Sequence, residues 1–531
     1  MKADLTRNSF HQWKHFTRVV MQQGRVQLDA DWNEQAAILL RYLQALAADL
    51  IGPSGGPQAN LGFQIASGTV TTDFAILPGH FYVDGILCEL ASPSAPVAIK
   101  RAATGFENPT ASGATFTQGQ TVLLYDPASG EGALTTITGV SGSVATVDMT
   151  NPSVSTVLTA QNPEVYPKFI TFLSQPDYPG AALKPNCNLF YLDVWERLIT
   201  YVEDDSIREV ALDGADTAAR TKLICQVKQT SGNCTSDLKS LFQPANRGFL
   251  IAQAKQTSAS TDPCVIAPNA SYSGPENQLY RVEIHTGGKD ALGNALTPTF
   301  KWSRENGSVV FPIVSLTQPT VTAGSPATTQ VVLESLGRDD RFGLSENDWV
   351  EIQNDDSVLQ NMGETQSAQS NLLQVQSIDS GNLTVTLTGT PPQNFSVDQK
   401  KHPVLRRWDQ TAGDPAQGGL KLGSDNAALV VEATNGPVWL NLEDGIQIQF
   451  QPAPQGATNL YRTGDYWLIP ARTATADVEW PTDKSGARIA LPPDGVDHHY
   501  ATLATIAANA NGWITATPCH LPFPPVTPKS G

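Results

Sequence analysis

The sequence predicts a mainly β, multidomain chain: β-sandwich and barrel modules, an N-terminal helical segment and two inserted small β-barrels. Three observations carry this expectation. Charged residues make up only 16% of the 531 residues, against roughly 25% in an average globular protein, and Thr, Ser, Asn and Gln take their place. With 42 Gly and 37 Pro, that mix favours strands and turns over long surface helices. Beyond about residue 60 the apolar residues alternate with period two. Finally, two segments repeat: Gly119–Asp126 parallels Glu346–Gln353, and Thr138–Val144 parallels Gln376–Leu383. The second copy carries about ten extra residues, mostly in Asn354–Gln369.

The elements follow in order. Asp31 can cap a helix, with Glu34 at the capping-box spacing. Leu39, Leu43, Leu46 and Leu50, flanked by Ile38 and Tyr42, put one apolar stripe on it, and Gly52-Pro53 stops it. The expected helix is 31–51, with a stripe that must dock on something. Phe81–Cys88 reads as a hairpin turning at Asp84-Gly85. Leu189–Trp195 reads as a buried strand, Tyr280–His285 as an alternating one, and Thr217–Lys228 is open between helix and strand. Glu305-Asn306-Gly307 between Phe300–Arg304 and Ser308–Phe311 predicts a hairpin, as does Asp444-Gly445 between Val438–Leu442 and Ile446–Phe450. Tyr461–Ile469 and Tyr500–Ile506 complete the strands, and the Pro-rich last dozen residues read as a tail.

Pro-, Gly- and Thr-rich joints divide the chain into an arm and capped helix (1–53), a β region (54–106), a small β unit (107–156), a central β-rich domain (157–312), a second small β unit (313–395) and a C-terminal β-rich region (396–531).

Net charge is −17, with 34 Lys+Arg against 51 Asp+Glu. A duplex nucleic-acid binder needs a basic footprint, so nucleic acid and anionic membranes are poor partners. No stretch approaches the 18 or so uncharged apolar residues of a membrane span, and the start lacks the apolar core of a secretory signal. The six cysteines show no C-x-x-C pair and read as buried free thiols; one or two bridges are the alternative, Cys225 and Cys234 being the nearest pair.

Motifs that carry chemistry are weak. Gly52-Pro53-Ser54-Gly55-Gly56 matches G-x-S-x-G, but a nucleophile elbow opens a helix and this one closes it. Asp29-Ala30-Asp31-Trp32-Asn33 begins like a calcium loop but continues with Glu34 where Gly is needed and ends on Leu40 where a Glu is needed. Helix entry is the better reading, with Asp29 anchoring the loop or meeting Arg25. His498-His499 is the sole His pair; adjacent strand residues face opposite ways, so a structural pair, one buried and one exposed, is expected rather than a metal site. Acidic pairs such as Asp204-Asp205 and Asp355-Asp356 read as turns and caps. No catalytic residue, metal or cofactor is expected.

Several blocks resemble a family of uncharacterised proteins encoded beside phage-tail-like contractile injection systems. They are Met1-Lys2 with Asp4, Thr6 and Arg7; Lys14-His15; Met21–Gln35; Tyr191–Arg197; Ile207–Leu212; Tyr280–His285; Lys301–Ser308; Arg338–Arg341; and Asp465–Trp467. His11-Gln12-Trp13 departs from the Asp-Pro-type turn of that pattern. The resemblance implies a structural or accessory part of such a particle near its baseplate, cage or fibres, made in the cytoplasm and released, if at all, by lysis. It implies other particle proteins as partners and self-association within the assembly. Tyr and Trp residues leave a carbohydrate- or receptor-binding role, with a glycan as partner, as the alternative, and a polysaccharide-degrading enzyme as a third. The expected docking surface is the first 51 residues, through Trp13, Phe16, Arg25, Asp29, Asp31, Trp32, Leu39 and Leu43, which offer more apolar surface than so short a piece can bury alone.

Overall fold

The computed structural model describes all residues except 67–72, 108–115, 244–245, 255–271, 290–293, 318–325, 340, 362–371, 393–394, 455–456, 509–513 and 525–531. Cys264, the stretches 108–115 and 318–325 at the expected joints and much of the insertion after Asn354 lie outside the described residues. The chain is mainly β and builds two units. One comprises Met1–Ile38, Glu196–Lys222 and Phe242–Asp497; the other comprises Leu39–Trp195, Leu223–Leu241 and His498–Gly531.

The first unit holds a β-sandwich and a barrel. A five-stranded sheet runs in the order Ala428–Leu429, Thr299–Ser303, Gln278–Thr286, Tyr466–Arg472, Asp477–Val478. A three-stranded sheet, Phe249–Ala254, Ile446–Gln451, Leu440–Asn441, shares its core: Leu250, Tyr280, Phe300, Ile448, Phe450 and Trp467 are buried together. The strict alternation of Ile446–Gln451 delivers Ile446, Ile448 and Phe450 to that core, as the period-two pattern requires. The Asp444-Gly445 hairpin forms as expected, with both turn residues at positive φ.

The Glu305-Asn306-Gly307 turn also forms, with Asn306 and Gly307 at positive φ, but it does not make a hairpin. Thr299–Ser303 pairs with Gln278–Thr286, whereas Val310–Leu316 pairs with Thr328–Leu333 and Val404–Trp408. The turn hands the chain from the sandwich sheet to the barrel. Local sequence fixes the reversal, and partner choice is non-local.

The barrel closes through Val310–Leu316, Thr328–Leu333, Thr384–Thr388, Leu373–Asp379, Trp349–Gln353 and Val404–Trp408, around Phe311, Ile313, Val350, Val375, Leu387 and Leu405. The other inserted unit is a half-barrel of the same strand order. Glu164–Tyr166, Thr121–Asp126, Glu131–Ser141, Val144–Val147 and Gly105–Glu107 stand where Val404–Trp408, Trp349–Gln353, Leu373–Asp379, Thr384–Thr388 and Thr328–Leu333 stand in the closed barrel. The closing strand is broken at Ile99: Val97–Ala98 pairs with one end of the sheet and Lys100–Ala102 with the other. The duplicated segments of the sequence thus occupy equivalent strands, and the extra residues of the second copy open with the helix Asp355–Asn361.

In the second unit a four-stranded sheet runs Arg220–Thr230, Leu189–Ile199, His498–Ala508, Ile514–Pro518, so the open choice at Thr217–Lys228 resolves as strand. Leu189–Trp195 is buried at every residue, as a continuous apolar run requires of a central strand. Its core joins Phe190, Leu192 and Val194 to Phe63, Phe74 and Phe81, the last from the hairpin Gly79–Val83 and Ile86–Leu90 around Asp84-Gly85.

Cys234 and Cys519 are disulfide-bonded, which corrects the free-thiol reading; Cys88, Cys187 and Cys225 are free. One bridge forms, but not between the nearest pair: Cys234 is taken by Cys519, and Cys225 instead hydrogen-bonds with Cys88, which together with burial pushes the Cys88 thiol up. A sequence separation of 285 residues gives no spacing signal for the bridge that forms. Closing so long a loop restricts the unfolded chain strongly, so Cys234→Ser is expected to cost about 2–5 kcal/mol. Thermal melts with and without reductant check this: the wild type should lose stability on reduction and the variant should not.

Candidate docking surface and the ionic cores that hold it

The long helix spans Asp29–Ile51. It starts two residues before the expected cap: Asp31 lies inside the first turn, and Glu34 accepts a hydrogen bond from Ser9 Oγ at 2.7 Å instead of closing a capping box. Asp29 accepts from the Thr6 amide and hydroxyl, at 3.1 and 2.7 Å, rather than meeting Arg25, which is exposed beyond the Gly24 turn. The Val19 amide donates to Gln35. The arm is therefore pinned to the start of the helix by these hydrogen bonds.

The apolar side chains of both elements face outward. Ile38 and Ala30 are buried, but Trp32 is 72% exposed, Leu43 65% and Leu50 78%, with Leu39 and Leu46 exposed beside them. Trp13 (71% exposed) and Phe16 are covered only in part, by the Lys14 ammonium lying 5.6 and 5.9 Å from their rings and by His11 against Trp13. Apart from Ile38, the inward face of the helix carries small and polar side chains such as Gln44, Ala45 and Ala48, which are half-buried. A Cβ on Gly85 would collide with the Gln44 carbonyl oxygen, so the Asp84-Gly85 turn can approach the helix backbone this closely only with glycine there. All eight expected docking residues lie on this arm and helix; the six apolar and arginine side chains are exposed, Asp29 is exposed but engaged by Thr6, and Asp31 is half-buried.

What the sequence reading missed is how the arm is held. Glu283, in the middle strand of the sandwich sheet, is buried against three cations: Arg281 Nε at 2.6 Å, Lys2 Nζ at 3.0 Å and Lys301 Nζ at 3.6 Å. Lys301 Nζ also lies 2.6 Å from Glu351, which accepts from Trp408 Nε1 at 2.9 Å. The Trp408 ring faces the Lys301 ammonium, and the Tyr466 ring faces the Arg281 guanidinium. Burial alone would raise both carboxyls, but Lys2, Arg281 and Lys301 hold Glu283 far below the usual range, and Lys301 and Lys2 do the same for Glu351. His285 beside them is pushed down to about 4, mainly by burial and then by Lys301. Asn306 donates to the Met1 and Ala3 carbonyls, at 3.1 and 2.8 Å, and Arg281 donates to Met1 O. Further along, Arg7 pairs with Glu479 at 3.0 Å, and Arg472 reaches both Glu479 and the Thr6 carbonyl. Lys2 and Ala3 are thus inserted at an ionic core, Thr6 and Arg7 are tied down at the surface by Arg472 and Glu479, and the exposed segment begins where that anchoring ends.

A second ionic core lies in the other unit. Asp193 is buried between Lys228 Nζ at 2.9 Å and His498 Nδ1 at 2.7 Å, joining the three neighbouring strands 189–199, 220–230 and 498–508. His499 points the other way, toward Asp84 at 2.8 Å. The expected division of the His pair therefore holds: His498 is buried and structural, and His499 is partly exposed. Ser54 Oγ lies 3.2 Å from His520 Nε2, which Thr502 Oγ1 also approaches at 3.3 Å. The one sequence signal for these cores was an acid inside an apolar run, Tyr191-Leu192-Asp193-Val194-Trp195. A charge there is on a strand with both faces covered and must be paired.

Among the described residues, no helix is long and apolar enough to cross a membrane. No curated protein and no solved structure matches the chain. One family model does, over residues 1–123, 181–248 and 245–521, leaving out residues 124–180, which carry most of the half-barrel. Every block of the resemblance, and every member of both ionic cores, falls within the matched ranges. The chain belongs to this family of unknown function, DUF6519.

Proposed function

We propose that the protein is a non-enzymatic structural or accessory component of a phage-tail-like contractile injection particle, attached through its N-terminal arm and long helix. One observation carries the docking part: the apolar stripe of the helix faces solvent, as do Trp13 and Phe16 on the arm. A monomeric surface rarely presents so many large apolar side chains together unless something covers them. The particle assignment is supported by the resemblance of blocks spread from Met1 to Trp467. The ionic core around Glu283 fits the same role, because it fixes the arm at its base so that the exposed segment is presented in one place.

Particles sedimented from a bacterium that encodes this chain should carry it. Leu39→Ser combined with Leu43→Ser removes two side chains whose burial is worth about 1.5–3 kcal/mol each, so the variant should be depleted from the particles by more than about ten-fold while remaining folded in the supernatant. Particles that lack the wild-type chain, or retain the variant equally, would overturn the proposal.

A further inference from the structure

The exposed stripe is more specific than a greasy patch. Trp32, Ala36, Leu39, Leu43, Leu46 and Leu50 recur at alternating steps of four and three, and every one is exposed. That is a strict heptad seam, with Trp32, Leu39 and Leu46 in one register position and Ala36, Leu43 and Leu50 in the other. A helix docking on its own domain uses a broader stripe and buries it; a seam of two positions per heptad is the pattern for another helix of the same kind. This helix does the reverse of ordinary docking: Ile38 apart, it turns small and polar side chains inward and keeps its leucines outside.

The flanks say which helix fits. In coiled coils, charges beside the seam set partner choice: like charges that face each other reject a second copy, and complementary or absent ones admit it. Here the flanking positions are Asn33, Leu40 and Ala47 on one side and Gln35, Tyr42 and Asp49 on the other, so Asp49 is the single charge. In a parallel pair, Gln35 faces the second copy's Leu40 and Tyr42 its Ala47, while Asp49 faces position 54, past the end of the helix at Ile51. No like charges meet, although the chain as a whole carries −17. A neutral seam is what lets two such acidic chains approach along this line. The apolar flanks Leu40 and Tyr42 are exposed as well and widen the contact.

We infer that the occupant of this seam is a second copy of the chain, joined helix to helix over residues 32–50 as a left-handed coiled coil. This deepens the docking reading above and rests on it, by naming the partner.

The test is sedimentation of the full, disulfide-intact chain. The wild type should sediment at a multiple of 56.8 kDa at micromolar concentration. Leu43→Ser with Leu46→Ser should reduce it to the monomer mass, and the variant should unfold at the temperature of wild type diluted to monomer, since both side chains are exposed in the single chain. Val210→Ser, which removes an equally exposed apolar side chain away from the helix, should leave the oligomer intact. A monomeric wild type, or an oligomer that survives the seam substitutions, would sink the inference. A chain that is monomeric alone yet enters particles through these same leucines overturns self-association and leaves the particle assignment standing; an oligomer that depends on the seam but has no place in particles does the opposite.

Discussion

Glu283→Ala is expected to cost about 3–5 kcal/mol and to detach the arm from its sheet. The size follows from what stays behind. Glu283 is the shared counter-ion of Lys2, Arg281 and Lys301, and Glu351 can serve only Lys301 and, more weakly, Lys2. Without Glu283, Arg281 keeps a buried guanidinium with the Tyr466 ring and neutral oxygens in contact and only Asp494 as a more distant carboxylate. Lys2 has an escape, because it belongs to the arm and can leave with it. Release of the arm is therefore the cheapest relaxation, and it gives the variant a signature beyond lost stability. Trypsin should cut the wild type at the exposed Lys14, Arg18 and Arg25 but slowly at Arg7, which is tied to Glu479; in Glu283→Ala, cleavage at Arg7 should become as fast as at Arg25. Lys2→Met is the control. It leaves Glu283 with Arg281 and Lys301, so it should cost far less and leave the Arg7 site protected longer. Equal proteolysis in all three chains would show that the ionic core does not hold the arm.

The sequence made the exposed element visible but not its exposure. Spacing places Leu39, Leu43, Leu46 and Leu50 on one side of a helix with no further information, since the period depends on the chain alone. Whether that side meets the body or solvent depends on the opposite face, where Gln44 and its alanine neighbours fit a glycine turn some forty residues away in sequence. The same division runs through the fold. The turns at Asp84-Gly85, Asn306-Gly307 and Asp444-Gly445 were legible because positive φ has a residue signature, but only two of the three join paired strands. The duplication was legible as similarity between Gly119–Asp126 and Glu346–Gln353; the break at Ile99 in the strand that spans the two ends of one copy was not, since it concerns a strand outside the repeat. The disulfide and both ionic cores join residues far apart in the chain, and no local spacing encodes them. Only the acids themselves, embedded among apolar neighbours, advertise that a partner exists.

Asp193→Ala is the other large effect, again about 3–5 kcal/mol, and pH makes it distinguishable from a simple packing loss. The carboxylate sits where three strands meet, and its removal leaves the Lys228 ammonium buried, with Tyr178 at 5.4 Å as its aromatic neighbour, and His498 between Trp195 and Tyr500. Burial alone would raise the Asp193 carboxyl, but His498 and Lys228 outweigh it and hold the folded-state value below the ordinary 3.8. An acid whose folded pKa is depressed binds its proton more weakly folded than unfolded. Its contribution is therefore complete above about pH 4 and is lost as pH falls through the folded value. Wild-type stability measured by urea unfolding should decline below about pH 4 partly through this residue, and the variant, already lacking the carboxylate, should decline less steeply there. The difference between the two chains should shrink as pH falls below about 5. Asp193→Asn separates charge from shape: it keeps the volume, and its amide oxygen can still accept from Lys228 or His498, so it should recover part of the lost stability at neutral pH while losing the acid dependence just as alanine does. A gap between wild type and alanine that is unchanged down to the lowest accessible pH would mean that Asp193 stabilises the sheet by packing, and that the cations beside it are satisfied in some other way.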